Sequence, residues 1–287
     1  MEELVFEAGA FRLCLGRQTK LMGVLNVTPD SFSDGGRYLD PALAEERALA
    51  MQDEGADILD IGGESSRPGA GAVPAAEEMR RILPVLKRLS KKIKIPVSVD
   101  TSKHDVALAA LDHGAQIVND ITALGDRRMG KTLARYGASV VLMHMQGTPR
   151  TMQKAPSYRD VAKDVAAFLK EAVRRALDAG LPRSRVMVDP GFGFGKTVEH
   201  NLELLARLDV LRVLKQPVLA GLSRKSFLGH VLGIPAQERL TASVAAGAVA
   251  IERGAHVLRV HDVTPHRQMV VLVDRARALS AKGRGGR

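Results

Sequence analysis

Eight short apolar runs in the chain each end in side chains able to do chemistry: Asn26, Asp60, Asp100, Asn119, His144, Asp189, Ser223 with Lys225, and Arg259 with His261. A carboxylate accepts a pair of parallel N–H donors, and a carboxamide both donates and accepts. A guanidinium is a flat cation that stacks on rings and reaches phosphate. Any one of these residues could be a turn or cap residue, as an Asp before a proline commonly is at Asp189-Pro190. Eight sets at corresponding places favour one shared pocket instead. No Cys/His cluster of zinc type accompanies them.

The elements that must position these side chains follow a recurring pattern. A helix-like segment runs into Gly-Ala, a polar residue and an apolar run, as in Gly55-Ala56-Asp57-Ile58-Leu59-Asp60 and Gly114-Ala115-Gln116-Ile117-Val118-Asn119. It returns at Gly137-Ala138-Ser139-Val140-Val141-Leu142 and Gly254-Ala255-His256-Val257-Leu258-Arg259. Glycine ends each helix in a left-handed cap and a short buried strand follows. Further strands are expected at Leu21 to Val27, Val97 to Asp100, Val186 to Asp189 and Val218 to Ala220. Val161, Val165, Phe168, Leu169, Ala172, Val173, Ala176 and Leu177 fit one helical face. Pro74 opens another helix, with Met79, Ile82, Leu83, Leu86 and Leu89 as its inner stripe.

Alternating helix and strand in about eight units predicts an α/β fold, a single (β/α)8 TIM barrel whose strand ends meet at one mouth. An open doubly wound sheet is the alternative, and it too would hold ligands at the carboxyl ends of its strands. Residues 1–16, with Val5-Phe6 and Phe11 to Leu15 around Gly9, are expected to form a hairpin covering the barrel bottom. The barrel then occupies 17–280, and 281–287 form a basic flexible tail. Two segments, Thr28 to Gly36 and Glu64 to Gly71, are rich in Gly, Ser and Asp. They read either as solvated connections or as loops that approach phosphate and close over substrate.

Composition removes other classes. With 287 residues, 45% hydrophobic and 26% charged, the chain matches an ordinary globular protein. No run approaches the roughly 20 apolar residues of a membrane helix, and no secretory signal is visible, so no membrane role is expected. A lone cysteine, Cys14, excludes an intramolecular disulfide framework and fits a reducing cytoplasm. The net charge of +10 could hint at nucleic acid. Half of that excess lies in Arg275, Arg277, Lys282, Arg284 and Arg287 at the C-terminus, and aromatic residues make up only 3%. A mildly basic body therefore suits small anionic substrates, with no nucleic-acid partner. Gly191-Phe192-Gly193-Phe194-Gly195-Lys196-Thr197 has the look of a P-loop, but Pro190 stands where that motif needs its first glycine.

Leu25-Asn26-Val27-Thr28-Pro29-Asp30-Ser31-Phe32-Ser33-Asp34-Gly35-Gly36 and Asp60-Ile61-Gly62-Gly63-Glu64-Ser65-Ser66-Arg67-Pro68-Gly69 closely resemble the two signatures of the dihydropteroate synthases. Val99-Asp100-Thr101, Val118-Asn119-Asp120-Ile121, Met143-His144-Met145-Gln146-Gly147-Thr148-Pro149 and Asp189-Pro190-Gly191-Phe192-Gly193-Phe194-Gly195-Lys196 extend the match. Gly221 to Phe227 and Arg259 to Val263 complete it, in order and over nearly the whole chain. Ser66 departs from the family's usual threonine: the hydroxyl stays and a methyl is lost.

The resemblance implies condensation of a dihydropterin bearing a hydroxymethyl diphosphate with p-aminobenzoate, releasing diphosphate. It implies a pterin site of Asp100, Asn119, Met143, Asp189, Lys225 and Arg259. Asp189 would accept the paired N–H edge, Lys225 would donate to the ring carbonyl, and Arg259 would stack. Diphosphate would meet Asn26, Ser66, Arg67, Arg259 and His261, and p-aminobenzoate would meet Ser66, Arg67, Pro68, Phe192, Ser223 and Lys225. Asn26 is the implied ligand of a magnesium ion arriving with the diphosphate. Catalysis would rest on Asn26, Asp100, Lys225 and Arg259, by dissociative substitution. A homodimer through helices late in the chain is also implied. The rival readings are a pterin-dependent methyltransferase and a non-catalytic paralogue that binds pterin without joining substrates.

Overall fold

The computed structural model describes residues 3–28, 40–65, 67 and 69–284, with the backbone alone at 281–284. Two strands, β1 (Leu4–Ala8) and β2 (Phe11–Leu15), form an antiparallel hairpin in the register Leu4 to Leu15 through Ala8 to Phe11. Eight parallel strands follow: β3 (Lys20–Asn26), β4 (Ile58–Gly62), β5 (Val97–Asp100), β6 (Ile117–Asp120), β7 (Ser139–Met143), β8 (Val186–Asp189), β9 (Leu219–Ala220) and β10 (Val257–Val260). Their order is β8-β7-β6-β5-β4-β3-β10-β9, and a parallel bridge from Val188 to Val218 brings the outer pair together. The sheet thus closes on itself as a barrel.

Helices α1 (Pro41–Asp53), α2 (Ala75–Leu89), α3 (His104–Asp112), α4 (Arg127–Tyr136), α5 (Val161–Asp178), α6 (Val198–Ala206), α7 (Ser226–Leu232), α8 (Leu240–Glu252) and α9 (Val263–Arg284) alternate with the strands. The four glycines expected to end helices, Gly55, Gly114, Gly137 and Gly254, all have positive φ, the backbone region that favours glycine. On α5 the expected face is the buried one, with Val161, Val165, Leu169, Ala172, Val173 and Ala176 inward. On α2 the buried face is Ile82, Val85, Leu86 and Leu89, while Met79 and Leu83 are only partly buried. Pro74 is the N-cap of α2 and not its first residue. The helix α9 runs to Arg284, into the segment expected to be a flexible tail. Ala281, Lys282 and Arg284 are compatible with that extension because all three residue types favour helix.

Period-two alternation along the strands builds two cores. Outward side chains such as Leu21, Leu25, Leu59, Ile61, Val99, Val118, Val140, Leu142, Val186, Val188, Leu258 and Val260 pack with the helices. Inward side chains near the strand starts, Met22, Ile58, Ile117, Val141, Met187, Leu219 and Val257, cluster with Phe6, Ala8 and Leu15 of the hairpin. The hairpin therefore covers the barrel bottom. Two residues further along, the inward face turns mostly polar, with Asp60, Asp100, Asn119, Asp189 and Arg259 beside Val24, Met143 and Gly221. That one step separates floor from mouth.

Candidate active site

Arg259, at the end of β10, is the hub of the mouth. Its Nε donates to Asp60 Oδ2 and its Nη2 to Asp100 Oδ2, both at 2.7 Å. Asn119 Nδ2 donates to the same Asp60 oxygen at 3.1 Å. Burial opposes charge on the guanidinium, but Asp60 and Asp100 outweigh it and raise its pKa. Burial pushes the Asp100 carboxyl up to about 7, reinforced by Asp60 and Glu78 and resisted by Arg259 and Lys225. Asp60 Oδ1 and Asn119 Oδ1 are buried without a hydrogen-bond partner among the described residues. Unpaired buried acceptors are costly, so a ligand with N–H donors would complete the hydrogen bonding.

The inner recess of the mouth is about 20 Å³, lined by Asp100, Asn119, Ile121, Met143, Asp189, Phe192, Phe194, Gly221, Lys225 and Arg259. All six expected pterin residues are present. Asp189 Oδ1 accepts from the backbone N–H of Gly191 at 2.7 Å. Burial raises its pKa against the pull of that bond and of Lys225 and Arg259. The Lys225 ammonium stands 4.1 Å from the centroid of the Phe194 ring, a cation–π distance. Burial lowers its pKa to about 8, although Asp189 and Asp100 favour the charge.

The recess shares Asp100, Phe194, Gly221, Lys225 and Arg259 with an outer cavity of about 450 Å³. Asn26, Thr28, Glu64, Ser65, Arg67, Ser223, Arg224, Arg239 and His261 also line the outer space. His261 Nδ1 lies 3.0 Å from Ser223 Oγ, and its N–H donates to the same oxygen. Burial, with Arg259, Arg224 and Arg67 nearby, lowers the imidazole pKa to about 3. A neutral ring paired with Ser223 through Nδ1 can keep Nε2 as a donor toward the cavity. Arg224 holds φ at +56° and is fixed there: its N–H donates to Ser243 Oγ and its guanidinium grips Asp262 at 2.6 and 2.9 Å. That pair ties the end of β9 to the end of β10.

The outer cavity thus gathers Asn26, Arg67, Arg259 and His261 of the expected diphosphate group, and Arg67, Ser223 and Lys225 of the expected arylamine group. Ser66, Pro68 and the first loop from Pro29 to Gly36 lie outside the described residues. Phe192, expected beside the arylamine, lines the inner recess only, with its ring stacked 6.5 Å from that of Phe227. Phe194 lines both spaces instead. His144, one of the eight strand-end sets, turns away to Lys196 Nζ at 3.0 Å.

Sequence reasoning assigned no role to Asp60, to Phe194 or to the bridge below the second loop. There Lys103 donates to Glu64 and, at 2.6 Å, to the fully buried Glu78. Glu64 Oε1 also accepts from Val73 N–H at 2.8 Å, so one carboxylate closes the neck of residues 64–73. The signals available for Asp60 were its place at a strand end and at the head of the second signature. Among the described residues, no group of three or more His, Cys, Asp or Glu could hold a metal, and no helix is long and apolar enough to cross a membrane.

Known proteins resemble this chain in both sequence and fold. The family model described as "Pterin binding enzyme" matches residues 22–261. The dihydropteroate synthase of Escherichia coli (strain K12) is 45% identical over 243 residues, covering 85% of this chain and 86% of the relative. The solved structure of Xanthomonas albilineans dihydropteroate synthase with 4-aminobenzoic acid superposes at a TM-score of 0.89, with 44% identity over 96% of this chain and 99% of that one. The Burkholderia cenocepacia dihydropteroate synthase complexed with 7,8-dihydropteroate superposes at 0.88, with 39% identity over 98% and 100% of the two chains. The chain belongs to the pterin binding enzymes and, within them, to the dihydropteroate synthases.

Proposed function

We propose that the chain joins 6-hydroxymethyl-7,8-dihydropterin diphosphate to p-aminobenzoate, forming 7,8-dihydropteroate and releasing diphosphate. The observation that carries this reading is the junction of two spaces at one barrel mouth. A recess of convergent acceptors and one ammonium opens directly into a cavity bearing Arg67, Arg259 and His261. The relatives with 4-aminobenzoic acid and with 7,8-dihydropteroate support the same assignment.

The pterin sits where the small inner recess opens into the outer cavity, its polar ring edge turned to the recess acceptors. Asp189 accepts its paired N–H donors, Asn119 Oδ1 takes a further donor, and Lys225 donates to the ring carbonyl. Met143 and Phe194 supply apolar walls. Arg259, already held by Asp60 and Asp100, presents its remaining guanidinium edge toward the diphosphate, joined by Arg67 and His261. Asn26 lines the same cavity and its side chain has no hydrogen-bond partner among the described residues. Its amide oxygen suits magnesium, a hard cation that keeps waters and phosphate oxygens as its other ligands. Magnesium bound there would neutralise charge on the leaving group.

The C–O bond to diphosphate breaks first, and its electron pair leaves with the phosphate oxygen. Positive charge on the exocyclic methylene spreads into the electron-rich ring, with the Asp100 carboxylate beside it. The neutral arylamine, held near Ser223, Lys225 and Arg67, then forms the C–N bond through its lone pair and loses a proton. Ser66 and Pro68 belong to this arylamine group as well. Positioning and leaving-group neutralisation carry the acceleration, so no strong base is required.

Mixing the purified protein with both substrates and magnesium tests the reading. Diphosphate release that depends on p-aminobenzoate, and that stops with a chelator, is the expected result. Ligand binding without release would identify a non-catalytic pterin binder. The cytoplasm is the proposed location, to be checked by fractionation. A homodimer is proposed through α7, α8 and α9, whose Val231, Leu232, Val249, Val271 and Leu272 are exposed. Light scattering at the monomer mass would remove the dimer.

A further inference from the structure

The turn after β8 contains a lysine for which the reaction above has no use. Lys196 is 3% exposed, and its Nζ contacts three acceptors: Gly191 O at 2.8 Å, Phe194 O at 3.0 Å and His144 Nδ1 at 3.0 Å. An ammonium has three protons, so all are used. Burial holds His144 neutral, its pKa lowered to about 3, which leaves Nδ1 free to accept. No carboxylate among the described residues lies within ion-pair distance of Nζ. A buried cation without a contact counter-ion is costly, and such an arrangement calls for a compensating role.

The acceptors reveal what the ammonium holds. Gly191 is gripped at both ends: its carbonyl by Lys196 and its N–H by Asp189 Oδ1. Asp189 Oδ1 is thereby occupied. Its Oδ2 lies on the Gly221 side, and Gly221 lines both the recess and the outer cavity. Phe194, whose carbonyl takes the second proton, is the ring beneath the Lys225 ammonium. Asn201 and Gln153 hold the middle of the turn at Gly193, while Lys196 grips the two residues that bear on the recess walls, Gly191 behind the carboxylate and Phe194 with its aromatic face. The turn itself is pressed against the end of β7. A Cβ at Gly191 would lie 1.9 Å from His144 O, and one at Gly195 would lie 2.5 Å from Gln146 O. Neither glycine can carry a side chain without displacing the chain that follows β7.

We infer that Lys196 is a positioning residue for the pterin site, orienting Asp189 and Phe194 through the Gly191–Phe194 turn. The inference rests on the assignment of the recess to pterin. It differs from a purely structural staple in one respect: the turn has a second outside support, Tyr158, whose hydroxyl donates to Gly195 O at 2.6 Å without adding charge near Asp189.

The test compares Lys196→Met with Lys196→Arg and Tyr158→Phe, using the pterin diphosphate as titrant in calorimetry and both substrates in steady-state assays. Lys196→Met is expected to weaken pterin diphosphate binding by about tenfold or more, the order of effect of removing a charge-assisted contact network. Its KM for p-aminobenzoate and its kcat at saturation should stay within about threefold, a split that loosened folding alone would not produce. Lys196→Arg, which keeps a cation on the same carbonyls, should bind pterin at least several-fold better than Lys196→Met. Tyr158→Phe should lower Tm while leaving pterin affinity within about threefold. A folded Lys196→Met with unchanged pterin affinity would overturn the inference. If Lys196→Met does not fold, Lys196→Gln, which keeps N–H donors and drops the charge, takes its place: pterin affinity about tenfold below that of Lys196→Arg supports the inference, and affinity equal to wild type overturns it. Asp189→Asn separates the two levels: if it too leaves pterin binding intact, the recess is misassigned; if it alone abolishes binding, only the role of Lys196 falls.

Discussion

The floor and the mouth of the barrel are built by the same strands, one inward side chain apart, and they have opposite chemistry. At the floor, Met22, Ile58, Ile117, Val141, Met187, Leu219 and Val257 meet Phe6, Ala8 and Leu15 of the hairpin in an apolar layer. At the mouth, Asp60, Asp100, Asn119 and Arg259 share hydrogen bonds, Asp189 is held by the Gly191 N–H, and acceptors are left without partners among the described residues. The floor supplies burial energy and closes the barrel to water from below. The mouth holds polar groups at a stability cost, because each buried polar atom must find a partner or wait for a ligand. The fold can hold such a site because the apolar layer beneath it packs against the hairpin without it.

The comparison can be broken most directly at the floor. Phe6 is fully buried, so Phe6→Ala should destabilise the protein by about 3–5 kcal/mol. Denaturant unfolding should show that loss while pterin diphosphate affinity, measured below the transition, stays within about threefold. A matching collapse of affinity would mean that floor and mouth are not separable. The reverse experiment is Asp189→Ala, which should weaken pterin diphosphate binding by about a hundredfold, as expected for loss of a paired, charge-assisted acceptor. Thermal unfolding should change little, since burial opposes the charge of that carboxylate and its removal relieves part of that penalty. Undiminished affinity in calorimetry would take Asp189 out of the site.

A smaller effect comes from pH. The Asp100 carboxyl is raised to about 7, so protonation below that value removes its charge from Arg259 and from the reacting methylene. The Lys196 and Lys225 ammonium groups are lowered by burial to about 7 and about 8, so both lose charge on the alkaline side. Pterin affinity should therefore pass through a narrow maximum near pH 7, falling about three- to tenfold by one to two units on either side. The stability contribution of Asp100 has the opposite sense from an ordinary paired carboxylate. Its folded pKa is raised, so folding loses stability as pH rises from the unfolded value toward 7 and changes no further above it. A flat binding profile from pH 6 to 9 would contradict these assignments.

Much of the mouth was legible because the alternation of strand residues is a local property. Asn26, Asp100, Asn119, Asp189, Lys225 and Arg259 stand at strand ends, and strand ends of a barrel converge whatever the loops do. The signatures resembling dihydropteroate synthases named their partners. What stayed hidden depends on contacts across the barrel. Asp60 looks like any strand-end acid until Arg259, 199 residues away, arrives beside it. Phe192 and Phe194 are equivalent in a Gly-X-Gly-X-Gly turn, and only the path of that turn sends Phe192 to Phe227 and Phe194 under Lys225. Lys196 sits in a segment that imitates a P-loop, and its three acceptors are visible only once the turn is folded against β7.

The amino-acid sequence by itself determined the alternating strands and helices, the glycine-ended helices, and the polar inventory at the strand ends. Those features arise from side-chain periodicity and backbone conformational preference, which act over a few residues. Tertiary structure alone decided which carboxylate grips which cation, how far each group departs from its ordinary protonation, and which ring faces the cavity. Hydrogen-bond partners and desolvation are set by neighbours through space, and barrel closure brings those neighbours together from opposite ends of the chain.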